Sequence, residues 1–315
     1  MHGDDDGRAA RRGAAAAPFE GLGAGVFEFL GELERNNDRA WFHAQSRRFE
    51  RDVRTPVRAL VRAVGERLPG EFPRFQAVLS GSGGSILRIA RDARFAGARP
   101  YHDSLALRFA HDGEDPRFAP ALTLRLTSRG AIVGAGYRPA GPRTLQRMRE
   151  ALDRDRSGWA EVRAAPALRV VYGDLEPPDL VRVPRGWPRE HPFAGDLRRT
   201  AFRVSRDLPL EGAAGPLLLD VAFAWWSAAV PLLRFVCAAL ELSWETLPRA
   251  RIVSAPLSSA GVDDDAPADD GAAPAPGRVA PSAPPGGDDA AAPAPPPESE
   301  PPTRPVGAAD LAAPA

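Results

Sequence analysis

The chain has 315 residues, with 41 Arg and no Lys against 41 Asp and Glu, so its formal net charge is zero. Without lysine there is no Schiff-base chemistry and no lysine-dependent phosphate loop, and the single Cys237 excludes an intramolecular disulfide and fits a reducing, cytoplasmic setting. The zero conceals a polarity: residues 255–315 hold ten acids against Arg278 and Arg304, a charge of −8, which leaves +8 on residues 1–254.

In chain order, residues 1–17 are low in complexity and are expected to be disordered, with no apolar leader. One globular domain is expected over residues 18–247. Within it, Phe27, Leu30 and Leu33 recur at three-residue steps, which predicts a helix ending at Asn36–Asn37. Trp41, Phe42, Gln45, Phe49 and Val53 share one face of a second helix. Thr55 followed by Pro56 reads as a cap and first turn, opening a third helix through Val57, Leu60, Val61, Val64 and Leu68.

The period then falls to two. "SILRIA" predicts a strand with Leu87 and Ile89 on one side and Arg88 and Ala90 on the other. "LALRFA" predicts another, and "LTLRLTSRGAIVGAGY" a hairpin turning around Ser128–Arg129–Gly130. Leu122, Leu124 and Leu126 face one way; Thr123, Arg125 and Thr127 face the other, the habit of an antiparallel sheet backed by helices. A helix follows Pro142, "AFRVS" is a short strand, and a long helix from about 216 to 242 is kinked at Pro231. The fold class is α+β, an antiparallel sheet backed by helices. The thirteen uncharged residues 221–233 are too few to span about 30 Å of hydrocarbon, so no membrane partner is expected. Residues 248–315 are rich in Pro, Ala and Asp and are expected to be a disordered acidic tail.

Familiar catalytic signatures fail one by one. "GSGGS" (81–85) precedes a strand and lacks a lysine, so it reads as a linker. "GLGAG" (21–25) lacks a preceding strand. The five histidines form no helical pair and no ligand spacing, so neither metal nor cofactor is expected. No serine occupies a nucleophile elbow.

The densest cluster of charge is "RDARFAGARPYH" (91–102), with Arg88 just before it. Two readings stay open. An Arg beside an Asp forms a bidentate structural pair, bracing the end of a strand. Alternatively Arg88, Arg91, Asp92, Arg94, Tyr101 and His102 line a cationic cradle for phosphate or carboxylate, with Arg185 and His191 reaching it from elsewhere. On the alternation, Arg91 falls on the apolar side and reads as structural, while Arg94 and Tyr101 face a pocket.

"FLGELERNNDRAWF", "LRIARDARFAGARPYH" and "VRVPRGWPREHPFAGDLRR" together resemble the three signature blocks of the family called domain of unknown function 2461, over about residues 19–243. Asn36, Asn37, Arg39, Trp41 and Phe42 match its first block. Arg88, Arg91, Asp92, Arg94, Phe95, Pro100 and Tyr101 match its second, and Pro184, Arg185, Gly186, His191 and Pro192 its third. The resemblance implies an α+β domain and no established activity. This chain departs from the pattern where the second block's lysines become Ala96, Gly97, Ala98, Arg99 and His102, and the third block's becomes Thr200. Lysine-dependent chemistry in the family would be lost here.

Three function classes therefore stand: binding or processing of a small anionic ligand, association with nucleic acid through the basic body, and a protein–protein interaction module. The acidic tail either competes for the basic surface or only solvates the chain.

Overall fold

A computed structural model describes residues 19–79, 84–92, 94 and 99–245. The expectations for 1–17 and 248–315, most of the "GSGGS" stretch, and Phe95 to Ala98 lie outside the described residues.

The chain opens with α1 (Ala24–Arg35), α2 (Arg39–Ala44), α3 (Ser46–Arg48), a π-helical segment (Phe49–Arg54) and α4 (Thr55–Glu71). Asn36 closes α1, and Asp38 caps α2 by accepting from the Trp41 amide at 2.8 Å. The predicted break at Thr55–Pro56 is absent. Thr55 is helical, and its N–H bonds the Glu50 carbonyl five residues back. Proline has no N–H and crowds the carbonyl four residues earlier, so the preceding turn widens rather than ending the helix.

The sheet has the order β1 (Phe75–Gln76), β2 (Leu105–His111), β3 (Ala121–Thr127), β4 (Gly130–Tyr137), β5 (Phe202–Pro209), every neighbour antiparallel. The predicted hairpin joins β3 and β4, and Gly130 there has φ 138°, a conformation open to glycine. Between β4 and β5 lie α5 (Pro142–Arg154), α6 (Arg156–Ala164), α7 (Pro166–Tyr172) and α8 (Ala194–Leu197). After β5 come α9 (Leu210–Ala214), α10 (Leu218–Ala228) and α11 (Val230–Ala239). The last two are the predicted long helix, bent by 54° just before Pro231. Among the described residues no single helix is long and apolar enough to cross a membrane.

One face of the sheet is core, apart from the exposed Arg206 opposite Val133. Leu105, Leu107 and Phe109 stand opposite Leu126, Leu124 and Leu122, and Val133, Ala135, Phe202 and Val204 continue the rows. Phe29, Phe72, Trp159, Phe223 and Trp226 bury completely against the same core from the helices and the loop after α4. Cys237 is buried there too, its thiol pushed up to about 12 by desolvation.

The "SILRIA" stretch departs from its prediction. It runs along β2 only through isolated bridges, Ile86 opposite Leu107 and Ala90 opposite Tyr101. Because Ile86 pairs with a core-facing leucine, Leu87 turns outward and is 43% exposed. Pairing register, not local alternation, selects the buried set, and a one-residue slip inverts it.

Candidate functional site

The first two signature blocks meet in space. The Asn37 side chain donates to the Tyr101 carbonyl at 3.0 Å and accepts from the Tyr101 N–H at 3.0 Å. Arg91 Nε donates to the same carbonyl at 2.9 Å, and its backbone N–H bonds Pro100. The Tyr101 ring stacks on Phe42, with centroids 4.2 Å apart. Tyr101 is thus held by a side-chain amide, a guanidinium and a stacked ring, an arrangement that locks the segment leading into β2.

Asp92 and Arg94 form a bidentate pair at 2.6–3.1 Å, and this contact holds the Asp92 carboxyl below the usual carboxylate range. Arg94 is mostly in solvent, so the pair is screened by water. Arg88 is exposed nearby. His102 is exposed by area, with its backbone bonded to Ile89. Desolvation by crowding neighbours, then the Arg91 cation, lowers its pKa; Arg125 adds to this and Asp103 opposes it.

The third block sits elsewhere. His191 is buried; its Nδ1 accepts from the Phe193 N–H and its Nε2 meets Asp153 of α5 at 3.1 Å. Arg185 is exposed in the turn before it. The neighbouring Asp196 accepts from Trp159 Nε1 at 2.8 Å and Arg199 Nε at 2.7 Å, and Arg149 donates to the Leu197 carbonyl. This network fastens the loop before β5 to α5 and α6. The second block leads into β2 and the third into β5, so three strand spacings, about 14 Å, separate the strands they serve.

A further group emerges on the sheet face opposite the core. There Arg108 pairs with Thr123, Thr123 with Gly134 and Gly134 with Ser205, forming one row across four strands. Arg125 lies in the next row and Arg203 in the one on the other side. Arg125 is exposed at the middle of the central strand, and no carboxylate pairs with it among the described residues. Arg108 donates to the carbonyls of Pro116 and Ala119 and has no ion-pair partner among the described residues. Desolvation, followed by the like charge of Arg203, lowers the Arg108 pKa. Arg203 bonds Glu176 at 2.5 Å, while its Nε is buried without a partner.

Sequence alternation already placed Arg125 and Thr123 on the polar face. Only the register adds Arg108 and Arg203 beside them.

Among the described residues no group of three His, Cys, Asp or Glu side chains is arranged to hold a metal ion. A shallow groove between α4 and α10 is lined by Phe19, Ala63, Glu66, Arg67, Leu217 and Asp220. Its arginine is committed to Glu71 and Asp220 at 2.8 and 2.7 Å, so that cation is already neutralised.

The molecule is therefore an α+β protein, an antiparallel five-stranded meander with helices on one face and an arginine-bearing open face. The chain belongs to the family of conserved hypothetical proteins designated DUF2461, whose profile matches residues 25–235. No curated protein and no solved structure matches it.

Proposed function

We propose that the protein binds a small anionic ligand, phosphorylated or carboxylated, on the open face of the sheet. The observation that carries this is Arg125, a guanidinium without a carboxylate partner among the described residues, at the centre of the central strand. Elsewhere in the molecule arginines are committed to acids, as with Arg48, Arg67, Arg117 and Arg163. Arg108 stands one row away with only backbone carbonyls, and Thr123 and Ser205 supply hydroxyl groups. Gly134, buried between them, lets the Thr123 and Ser205 side chains close over the strand. His102, near enough to Arg125 to feel its charge, is a proton donor or acceptor at the β2 end.

The register positions of this face carry no aromatic residue, so the stacking that single-stranded nucleic acid requires is missing, which favours a small ligand.

Calorimetric titration with inorganic pyrophosphate at low ionic strength tests the proposal. Arg125→Ala should weaken binding about tenfold or more, the worth of one charge-assisted hydrogen bond. Arg129→Ala, at the exposed hairpin turn, should leave it unchanged. Equal affinity of Arg125→Ala and the parent chain, or no binding by the parent, overturns the reading.

A further inference from the structure

We infer that two copies of this chain pack open sheet face against open sheet face, about a two-fold axis running along β4, with Arg125 of each copy against Asp207 of the other. This dimer does not depend on the ligand reading above; the two share Arg125.

One row of the register runs Arg125, Ile132, Asp207 across β3, β4 and β5. Arg125 and Asp207 therefore flank Ile132, each one strand away, about 4.8 Å to either side. Both are exposed, and neither has an ion pair or a side-chain hydrogen bond among the described residues. Ile132 between them is half-buried. A two-fold interface uses the same patch on both subunits, so the patch must be its own complement. A row of cation, apolar residue and anion meets that demand, because turned over about its middle residue it reads anion, apolar residue, cation. A small anion answers only half of the row, since Asp207 stays beside it as a like charge.

The same rotation lays β3 over the partner's β5 and β4 over its own copy. Thr123 then faces the partner's Ser205, Thr127 the partner's Pro209 and Ala121 the partner's Arg203. Arg203 is already neutralised by Glu176, so no like charges are forced together across these strands. On β4 the residues of this face are Gly130, Ile132, Gly134 and Gly136, so Ile132 alone raises a side chain and packs on its own copy across the axis. An axis along the strands keeps the two sheets aligned, the arrangement of sandwiches whose sheets lie about 10 Å apart and cross at about 30°.

The contact is small. It uses about twelve residues a side, where a standard interface has about 20–30, so the dimer is weak and depends on concentration. Within it a carboxylate occupies Arg125, so the dimer and the anionic ligand exclude each other.

Sedimentation equilibrium of the full chain at low ionic strength, up to about 0.5 mM, tests the dimer. The parent chain should approach twice its monomer mass as concentration rises. Arg125→Asp sets only acids against one another across the axis, and Asp207→Arg only arginines. Each variant alone should associate at least about tenfold more weakly than the parent. Mixed one to one, the two variants bring opposite charges together at both contacts and should associate about as tightly as the parent. Pairing of Arg125 with Asp207 inside one chain would not be restored by mixing. Where a reversed variant does not fold, Arg125→Ala and Asp207→Ala replace it, and each should weaken association several-fold.

A monomeric parent, variants that associate like the parent, or a mixture no tighter than its components overturns the dimer. Pyrophosphate binding by a monomeric parent overturns the dimer and upholds the ligand reading. Rescue by mixing, in a parent dimer that persists with pyrophosphate bound, upholds the dimer and overturns the use of Arg125 by the ligand.

Discussion

Arg199 is 4% exposed and its Nε rests on Asp196 at 2.7 Å, whereas Arg125 stands in solvent on the central strand with no carboxylate partner among the described residues. The residue type is the same and the demands are opposite. A buried guanidinium must be neutralised and hydrogen-bonded, because removing it from water costs several kcal/mol. An exposed one keeps its hydration and needs nothing, so its lack of a partner leaves it available. Charge density along the sequence is therefore a poor guide to a site in this protein. In the dense second block Arg91 and Arg94 are engaged by Tyr101 and Asp92, while Arg125, alone in its strand, has no carboxylate partner among the described residues.

The contrast breaks first at Asp196. Asp196→Ala leaves Arg199 and Trp159 Nε1 without their acceptor and should cost about 3–5 kcal/mol in urea unfolding. A loss below about 1 kcal/mol would show that Arg199 regains water easily, and the distinction from Arg125 would fall.

Next comes the clamp between the first two blocks. Asn37→Ala removes both hydrogen bonds to Tyr101 and should cost about 1–3 kcal/mol. No change in the unfolding midpoint would mean that the Phe42 stack and Arg91 suffice.

A smaller, pH-dependent effect comes from His111. Burial holds its pKa below the ordinary value, and its Nδ1 accepts from the Gly113 N–H, which requires the neutral ring. The depressed pKa means the unfolded chain binds the proton more tightly. The stabilisation is complete above the unfolded value of about 6.5 and is lost as pH falls through the folded one. Unfolding midpoints should therefore drop as pH is lowered from about 7, and His111→Gln should flatten part of that slope. His102 contributes with the same sign, so an unaltered slope in His111→Gln would assign the effect there instead.

The smallest stability effect belongs to the proposed site. Arg125→Ala should shift stability by no more than about 0.5 kcal/mol while weakening pyrophosphate binding. A large destabilisation would show that Arg125 braces the sheet and would place it with Arg199.

Parts of the fold are legible in the sequence alone. The Leu122–Leu124–Leu126 face, the Gly130 turn and the break near Pro231 follow from period-two alternation, glycine's backbone freedom and proline's missing donor. Leu87 was misplaced because its environment depends on which residue of β2 it meets. Asn36 does close the first helix, but Asn37, read with it as a helix end, is committed to a partner 64 residues away.

What the sequence determined by itself is whatever neighbours along the chain decide: the helices of α1 and α5, the alternating strands, the α+β class, and the polarity between a basic body and an acidic tail. Only the tertiary structure decided which charges meet. Strand register sets Arg108 opposite Thr123 and Arg203 opposite Gly136, and it seals Tyr101 against Asn37 and Phe42. The reason is range. Side-chain periodicity is a property of a few consecutive residues, whereas the pairing of strands and the burial of a charge are fixed by contacts across tens of residues that no local pattern encodes.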